Sequence, residues 1–358
     1  MCNRIKYSPK INIMKIKFYF ILFVFCAGHV FTLQAQQVVA LQQSGDARFF
    51  SGTDAFRLAY DAASAGDTIY LSGGSFLVPD TISKTVVVFG AGHFPEFTGP
   101  TGQTLLAGDI ILAEGADNTY LEGLHLTKRL VFAQNHRVDD VVVRRCRIDG
   151  QVLFHSITGG TNYSNNTLLT ECVLTYGSLH SFHNSRNLTL TNSIVFGSSM
   201  AGLSYATITN NLFFCPVSSV GMFFGDDYTV VKNCVIANNK LFGSTNNYSF
   251  LNNVLFNIDA APNFYNNTGS NNYYGVSREN FFTEQQGDKF DYTHDYNLQS
   301  PESFLGTDGT QVGIYGGMHP WKEGSVPMIP HIISKSISHS VDAEGNLKVE
   351  INVSAQEY

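Results

Sequence analysis

The stretches LTNSIVF (190–196) and ITNNLFF (208–214) share one pattern: an apolar residue, any residue, a polar residue, a small residue and then two or three apolar ones. Five further copies are YLEGLHL (120–126), VRRCRI (143–148), LTECVL (169–174), VKNCVI (231–236) and FLNNVLF (250–256). The polar residues are Glu122, Arg145, Glu171, Asn192, Asn210, Asn233 and Asn252, and successive ones lie 18 to 26 residues apart. A strand that recurs at about this period is typical of a solenoid, in which each coil buries its apolar face only against the next coil.

The repeat predicts an all-β protein built as a parallel β-helix over residues 53–321. At its start, Phe56, Ala59, Tyr60 and Ala63 recur at helical spacing, and Thr53 is placed to cap the helix. Such a helix would cover the end of the apolar bore. At the other end, alternating residues flank DAEGN (342–346), so residues 322–358 are predicted to form a β-hairpin that docks against the C-terminal end of the solenoid.

Residues 1–35 are predicted to be an export signal. The apolar run FYFILFVFCAGHVF (18–31) is followed by Ala35 as a small residue for cleavage, and five basic residues precede it, namely Arg4, Lys6, Lys10, Lys15 and Lys17. A retained membrane anchor is disfavoured, because the run is shorter than the roughly 20 apolar residues that span a bilayer. We therefore expect an exported protein, in the periplasm, on the cell surface or secreted, with residues 36–52 as a linker and no membrane span after cleavage.

Charge narrows the choice of partners. Loss of the five basic leader residues leaves 17 lysines and arginines against 29 acidic residues. Such a surface repels phosphate backbones, so nucleic acid is not an expected partner. We expect a monomer that meets a polysaccharide or a cell-surface partner.

The four cysteines after the leader are Cys146, Cys172, Cys215 and Cys234. Three of them follow the polar residue of the repeat, a position that requires small, inward-facing side chains at a corner. Cys146 and Cys172 fall on consecutive coils, and stacked strands lie about 4.8 Å apart, within the range that a disulfide accepts. Export permits oxidation. A disulfide and a stack of free thiols both remain open.

Asparagine pairs are frequent between the strands, as in Asn165-Asn166 and Asn210-Asn211. Asparagine tolerates left-handed backbone angles, which suits corners, and stacked amides can hydrogen-bond from coil to coil. We interpret most of these residues as turn and ladder residues and not as ligand contacts.

The coils, together with VVVFGAG (86–92) and DGTQVGIYGGMHPW (308–321), resemble the exported right-handed parallel β-helix proteins of Bacteroidetes type, which have the pectate-lyase-like superfamily fold. The resemblance implies a single-stranded right-handed parallel β-helix. Residues 273–321 are then predicted to form a loop-rich final coil with its own strand, QVGIYGG (311–317).

The resemblance also implies where chemistry would lie, in a groove along an outer sheet. Pectate-lyase-like enzymes imply an arginine or lysine base with acidic ligands for Ca²⁺, whereas polygalacturonase-like hydrolases imply paired carboxylates. Asp226 and Asp227 in FFGDDY (223–228) resemble the GDD element of the hydrolases, but the hydrolases' other elements are missing. We favour an acidic corner here and disfavour hydrolysis.

Histidines form a second candidate site. His155 and His180 follow the polar residues of consecutive copies at similar distances, so we expect them to stack, with His183 nearby. They would serve as acid/base groups or metal ligands, or else simply form a coil corner.

Arg145 is a basic candidate for a lyase base, but an inward arginine requires a partner. Glu122 and Glu171 are at the same repeat position on the neighbouring coils, so a structural ion pair is the favoured interpretation. Possible sugar-stacking aromatic residues are Tyr163, Tyr176, Phe223, Phe224 and Tyr228.

Two functions remain open. The favoured one is a non-catalytic exported solenoid that binds glycan or serves as a structural or interaction element of the cell surface. The alternative is a lyase-like enzyme acting on a uronate polysaccharide, for which Ca²⁺ is the implied cofactor. The alternative requires its candidate residues to converge on one groove; these are His155, His180, His183, Asp226 and Asp227.

Overall fold

The structure is a computed structural model that describes residues 37–155, 163–197, 199–215, 221–225, 228–238 and 240–355. These residues form a parallel β-solenoid of about nine turns, with one short α-helix near its start and an antiparallel hairpin near its end, which confirms the predicted fold class. No helix within the described ranges is long and apolar enough to cross a membrane. The predicted leader and the pair Asp226 and Asp227 lie outside the described residues.

The coils stack their strands into three sheets, and each central coil contributes one strand to each sheet. The first sheet, in spatial order, contains Asp46–Ser51, Val38–Gln43, Thr68–Leu71, Val87–Phe89, Tyr120–Glu122, Val142–Arg144, Leu168–Thr170, Thr189–Thr191, Thr207–Thr209, Val230–Lys232, Ser249–Leu251 and Thr268–Ser270. The second contains Gly74–Leu77, Thr104–Ala107, His125–Leu126, Arg147–Ile148, Val173–Leu174, Ile194–Phe196, Leu212–Phe214, Val235–Ala237, Val254–Phe256 and Tyr273–Val276. The third contains Ile110–Leu112, Leu130–Phe132, Val152–Phe154, Leu179–Ser181, Ser199–Ala201, Phe223–Gly225 and Phe242–Thr245.

Strand register corrects one detail of the predicted repeat. Val143 pairs with Leu121 on one side and Leu169 on the other, so the first copy is shifted by one residue. Gly123, and not Glu122, therefore matches Arg145. With this register eight successive coils, from the one that carries Gly123 onward, have a residue with positive φ at the same corner, between the first and second sheets. We call these residues the left-handed column; they are Gly123, Arg145, Glu171, Asn192, Asn210, Asn233, Asn252 and Asn271.

The residue after the left-handed column points into the bore and forms an internal polar ladder. The Oδ1 atom of Asn211 accepts a hydrogen bond from the backbone N–H of Ser193 at 2.9 Å, and that of Asn253 accepts one from Cys234 at the same distance. The predicted amide ladder is thus present. Cys146, Cys172 and Cys234 occupy the same column as buried free thiols, so these residues form no disulfide.

The helix Ala55–Ala62 closes the start of the bore as predicted, because Ala55, Phe56, Ala59 and Tyr60 are buried in the main core. Its N-cap is Asp54, with no side-chain capping bond, and not Thr53.

The predicted linker of residues 36–52 is wrong. Val38–Gln43 and Asp46–Ser51 form an antiparallel hairpin, and the first of these strands pairs antiparallel with Thr68–Leu71. Val39 and Leu41 point into the core and are fully buried, so the hairpin completes the cap over the first coil.

The outer face of the second sheet is apolar and covered. Ile194, Phe196, Leu212, Phe214 and Phe256 face away from the bore and form a second core. Residues 281–321, which we call the covering segment, lie over them and bury Val312, Ile314 and Trp321. The covering segment contains the antiparallel pair Phe282–Glu284 and Asp295–Leu298 and the short 3₁₀ turn Pro301–Ser303. The predicted final coil is therefore wrong: this segment covers earlier coils, and 311–317 is not a strand.

Residues 304–328, which we call the strap, run back along the solenoid. Leu305 lies beside Asn252, Ile314 beside Asn192, and Met328 beside Glu122, so the strap crosses the coils in reverse order. The 3₁₀ turn Glu323–Ser325 lies within it. The strap brings the chain toward the N-terminal half of the solenoid before the tail begins.

The tail forms the predicted hairpin, with strands His331–Ile337 and Val349–Ser354. Its predicted position is wrong, because the strap delivers it near the coil of Glu122 and not to the C-terminal end of the solenoid. A further short parallel pair, Ser164–Asn165 with Ser185–Arg186, lies at the corner between the third and first sheets.

Candidate functional site

A groove of about 650 Å³ lies between the outer face of the first sheet and the strap. Its floor spans six consecutive strands, from the one that carries Tyr120 to the one that carries Lys232. At about 4.8 Å per strand, five steps give a length of roughly 24 Å. The groove is therefore long enough for an extended ligand that lies along the solenoid axis.

The floor consists of two parallel rows of side chains, because alternate residues of each strand point outward. One row is mostly apolar and contains Tyr120, Val142, Leu168 and Thr207. The second row lies two residues further along each strand and contains Arg144, Thr170, Thr191, Thr209 and Lys232. An apolar strip thus runs beside a line of hydroxyl groups.

The corner wall of the groove is held by amides of the left-handed column. The Nδ2 atom of Asn192 donates to the carbonyls of both Ile314 and Gly316 at 2.8 Å, and Asn233 accepts from the Thr307 N–H at 2.8 Å. The threonines contribute to this arrangement, since the Thr209 hydroxyl donates to the Oδ1 atom of Asn210 at 2.9 Å. Left-handed backbone angles aim these amides at the strap, and asparagine adopts such angles at low cost.

A buried group of four charges closes one end of the groove. The Nε atom of Arg145 lies 2.9 Å from Glu171, and its guanidinium also contacts Glu122 at 3.4 Å and donates to the Val326 carbonyl at 2.8 Å. Arg144 binds Glu171 at 2.8 Å. The predicted structural ion pair of Arg145 is confirmed, with both glutamates as partners.

Contacts with the two glutamates keep Arg144 and Tyr120 protonated at this end of the groove. Burial opposes the charge on Arg144, but its contacts with Glu171 outweigh burial and raise its pKa. Burial and the neighbouring Glu122 carboxylate raise the pKa of Tyr120, whose hydroxyl donates to Glu122 at 2.6 Å. Neither side chain is prepared to lose a proton near neutral pH, so this end of the groove favours binding over acid/base chemistry.

The histidine candidates do not line the groove. His180 points into the bore, is fully buried and accepts a hydrogen bond from the backbone N–H of Val152, and burial lowers its pKa to about 3. Leu153 pairs with Ser181, so counting two residues onward places His155 level with His183 and not with His180. The expected stack of His155 on His180 is therefore wrong. All three belong to the third-sheet side of the coil.

The aromatic candidates do not line the groove either. Phe223 is a core residue with an edge contact to Phe213, and the five aromatic candidates are absent from the groove lining. Tyr228 is well exposed and its ring lies 5.6 Å from that of Tyr205, while the Arg186 guanidinium lies 4.3 Å from the ring centroid of Tyr163. Phe224 and Tyr176 show no contact with the groove.

Sequence reasoning missed one polar cluster, because its members lie far apart in the sequence, from His125 to Tyr292. The Oδ2 atom of Asp149 lies 2.7 Å from the Nε2 atom of His125, and its Oδ1 atom accepts from Arg147 and Thr175, each at 2.7 Å. Burial alone would raise the pKa of Asp149, but these partners hold it well below its usual range. The Arg147 guanidinium lies 5.3 Å from the ring centroid of Tyr292, so the cluster anchors the covering segment.

Within the part of the chain that the structure describes, no three His, Cys, Asp or Glu residues are grouped to hold a metal ion. Comparison with protein-family models, with characterised proteins and with solved structures gave no match to this chain.

Proposed function

We propose that this protein is a non-catalytic glycan-binding solenoid that holds an extended polysaccharide chain in the groove. The observation that carries the proposal is the two-row floor, in which Val142 and Leu168 run beside the hydroxyls of Thr170, Thr191 and Thr209. Sugar rings present apolar C–H faces and hydroxyl edges, so a strip that is apolar on one side and hydrogen-bonding on the other is complementary to them. Regular spacing of the coils suits a regular polymer.

The charges of the groove favour a neutral or weakly acidic glycan. Arg144 is paired with Glu171 and Tyr120 stays protonated, which leaves Lys232, Asp308 and His319 as the other charged or titratable lining residues. The excess of acidic residues in the chain disfavours phosphate polymers. The predicted leader would place the protein outside the cytoplasm, where polysaccharides are available.

A lyase-like activity on a uronate polysaccharide is the second candidate, and Lys232 is the observation that favours it. Its side chain lies in the groove and has no ion-pair partner among the described residues. An amine at this position is of the type that removes the proton beside a uronate carboxylate. His155, His180 and His183 no longer support this candidate, because they lie away from the groove.

Binding is tested with a glycan array, followed by titration calorimetry of the best ligand. We expect Thr207→Leu, which fills the groove, to abolish or weaken binding at least tenfold. Thr268→Leu is the matched control, because Thr268 occupies the same outward row three strands further on and is outside the groove. Equal affinity of both variants and the wild type would refute the groove as the binding site.

Lyase activity is tested in parallel by incubation with pectin, alginate and glycosaminoglycans, with and without Ca²⁺. Growth of unsaturated-uronate absorbance that Lys232→Gln abolishes would establish the second candidate and overturn the non-catalytic proposal. Binding without absorbance supports the proposal. Neither signal would indicate a structural or protein-binding solenoid instead.

A further inference from the structure

A second cavity, of about 270 Å³, lies between the loop that carries Phe94 and Phe97 and the covering segment that carries Tyr292, Tyr315 and Trp321. It is on the second-sheet side of the solenoid, so it is separate from the groove. Six of its lining residues carry aromatic rings, namely Phe94, Phe97, Tyr292, Tyr296, Tyr315 and Trp321. The rings of Phe94 and Tyr292 meet edge to face, with centroids 4.6 Å apart, and Phe94 lies 6.4 Å from Trp321 at a steep angle. The walls therefore form an aromatic cage.

The cage is built to persist without a ligand. Trp321 and Tyr296 are almost fully buried in the second core, and the backbone N–H of Trp321 donates to the Ile314 carbonyl at 2.8 Å. Phe97 packs against Gly324, whose φ of 73° suits glycine, and a Cβ there would lie 2.4 Å from the Phe97 ring. The rings thus keep their positions through packing that the ligand does not supply.

Carboxylates surround the cage and no lysine or arginine lines it. Glu96, Asp291, Asp295 and Glu323 belong to the lining, and none of them is ion-paired among the described residues. Burial raises the pKa of Tyr315, and the nearby charges of Glu323 and Asp295 raise it further, whereas Arg147 acts in the opposite direction on the pKa of Tyr292. Arg147 stacks near Tyr292, but it is not part of the cavity lining.

We infer that this cage binds an organic cation, of the quaternary or alkylated ammonium class. The faces of aromatic rings attract cations, and the attraction strengthens when water is excluded. The carboxylates add a field of the right sign. Asp291 and Asp295 accept hydrogen bonds from Thr293 and Asn297, but these neutral donors leave the negative charge in place. That charge would repel an anion, and a neutral sugar does not require it.

Trp321 gives a direct readout, because it is the only tryptophan of the chain and it lines the cage. The full chain is titrated with choline chloride at pH 8 and low ionic strength, with tryptophan emission recorded and sodium chloride as the salt control. We expect a saturable change in emission in the millimolar range or below. The uncharged analogue 3,3-dimethylbutan-1-ol has the same shape as choline, and we expect it to bind at least about tenfold more weakly.

Two variants test the two parts of the cage. Tyr315→Leu removes a ring face and Glu323→Gln removes a charge without changing size, and each should weaken choline binding by roughly three- to tenfold. Thr207→Leu in the groove should leave the choline titration unchanged, so failure of the glycan proposal and failure of this one are distinguishable. Thermal unfolding of each variant confirms that the fold is retained.

The source of the cation is resolved by a second arm with phosphatidylcholine vesicles. A response to choline alone assigns a free solute, and a response to both assigns a headgroup at a surface; either supports the inference. The inference is overturned if choline gives no saturable change, if the uncharged analogue binds equally well, or if Tyr315→Leu and Glu323→Gln both bind choline like the wild type.

Discussion

The Nε atom of Arg145 lies 2.9 Å from the carboxylate of Glu171, and both side chains are sealed from solvent. Removing the arginine would take the ion-pair partner from buried Glu122 and one of two arginine partners from buried Glu171. We expect Arg145→Met to lower the free energy of unfolding by about 3–5 kcal/mol, measured by urea denaturation. Arg129→Met is the control, since its pair with Asp109 is at the surface, and it should cost less than about 1 kcal/mol. Equal losses in the two variants would contradict this account of Arg145.

Asn192 fastens the strap by two hydrogen bonds from one amide. We expect Asn192→Ala to accelerate amide hydrogen exchange in residues 311–317, because the carbonyls of Ile314 and Gly316 lose their donor. Asn187→Ala is the matched control, because Asn187 also has positive φ but is exposed and far from the strap. Alanine at either position has the same backbone cost of about 1 kcal/mol. Unchanged exchange in Asn192→Ala would show that the strap is held by packing alone.

Buried His180 makes stability depend on pH. Its pKa is lowered to about 3 in the folded state by burial, whereas the unfolded value is about 6.5. The unfolded chain therefore binds the proton first as pH falls. Stability is fully present above about pH 6.5 and declines between pH 6.5 and 3, by up to about 5 kcal/mol from this residue.

Chemical denaturation across this pH range checks the prediction. His180→Asn, in which an amide oxygen can accept the Val152 N–H, should remove the share of the decline that His180 causes, while buried His93, whose pKa burial also lowers, keeps its own share. His183→Asn, at an exposed position, should keep the wild-type slope. The same slope in all three proteins would exclude His180 as the cause.

Three thiols in the bore should be unreactive in the native state. Burial raises the pKa of Cys172 and of Cys234 to about 12, and that of Cys146 rises for the same reason. Since the thiolate is the reactive form, we expect no labelling by a disulfide reagent at pH 7.5 until urea unfolds the chain. A protein with Cys2, Cys26 and Cys215 replaced by serine leaves only the three thiols of the stack. Labelling in native buffer would contradict the buried stack.

The sequence was sufficient for the fold class, because a solenoid shows its period directly in its apolar residues. It was also sufficient for the partners of Arg145, since an inward charge requires a counter-charge on an adjacent coil. It was insufficient for the register of the first copy, where Gly123 has the positive φ that Arg145 and Glu171 have on the next coils.

The site was harder to predict than the fold. The strap was missed because it has no repeat of its own and contacts residues more than 100 positions away, as Ile314 contacts Asn192. The available signal was the row of asparagines at one repeat position. Their backbones form the corner, and the corner does not need their side-chain amides, which can therefore bind another segment. The stack of His155 on His180 was wrongly predicted because Leu153 pairs with Ser181, a step of 28 residues that is longer than the average coil, and counting along the sequence failed across it.

The strap also changes how the solenoid should come apart. In an ordinary repeat protein each coil interacts only with its neighbours, so unfolding can begin at an end and proceed coil by coil. Here the bond between Arg145 and Val326 joins positions 181 residues apart, and that between Glu122 and Met328 joins positions 206 apart. Unfolding of the last coils therefore also disrupts contacts of the early coils. We expect the solenoid to unfold as one cooperative unit and not coil by coil.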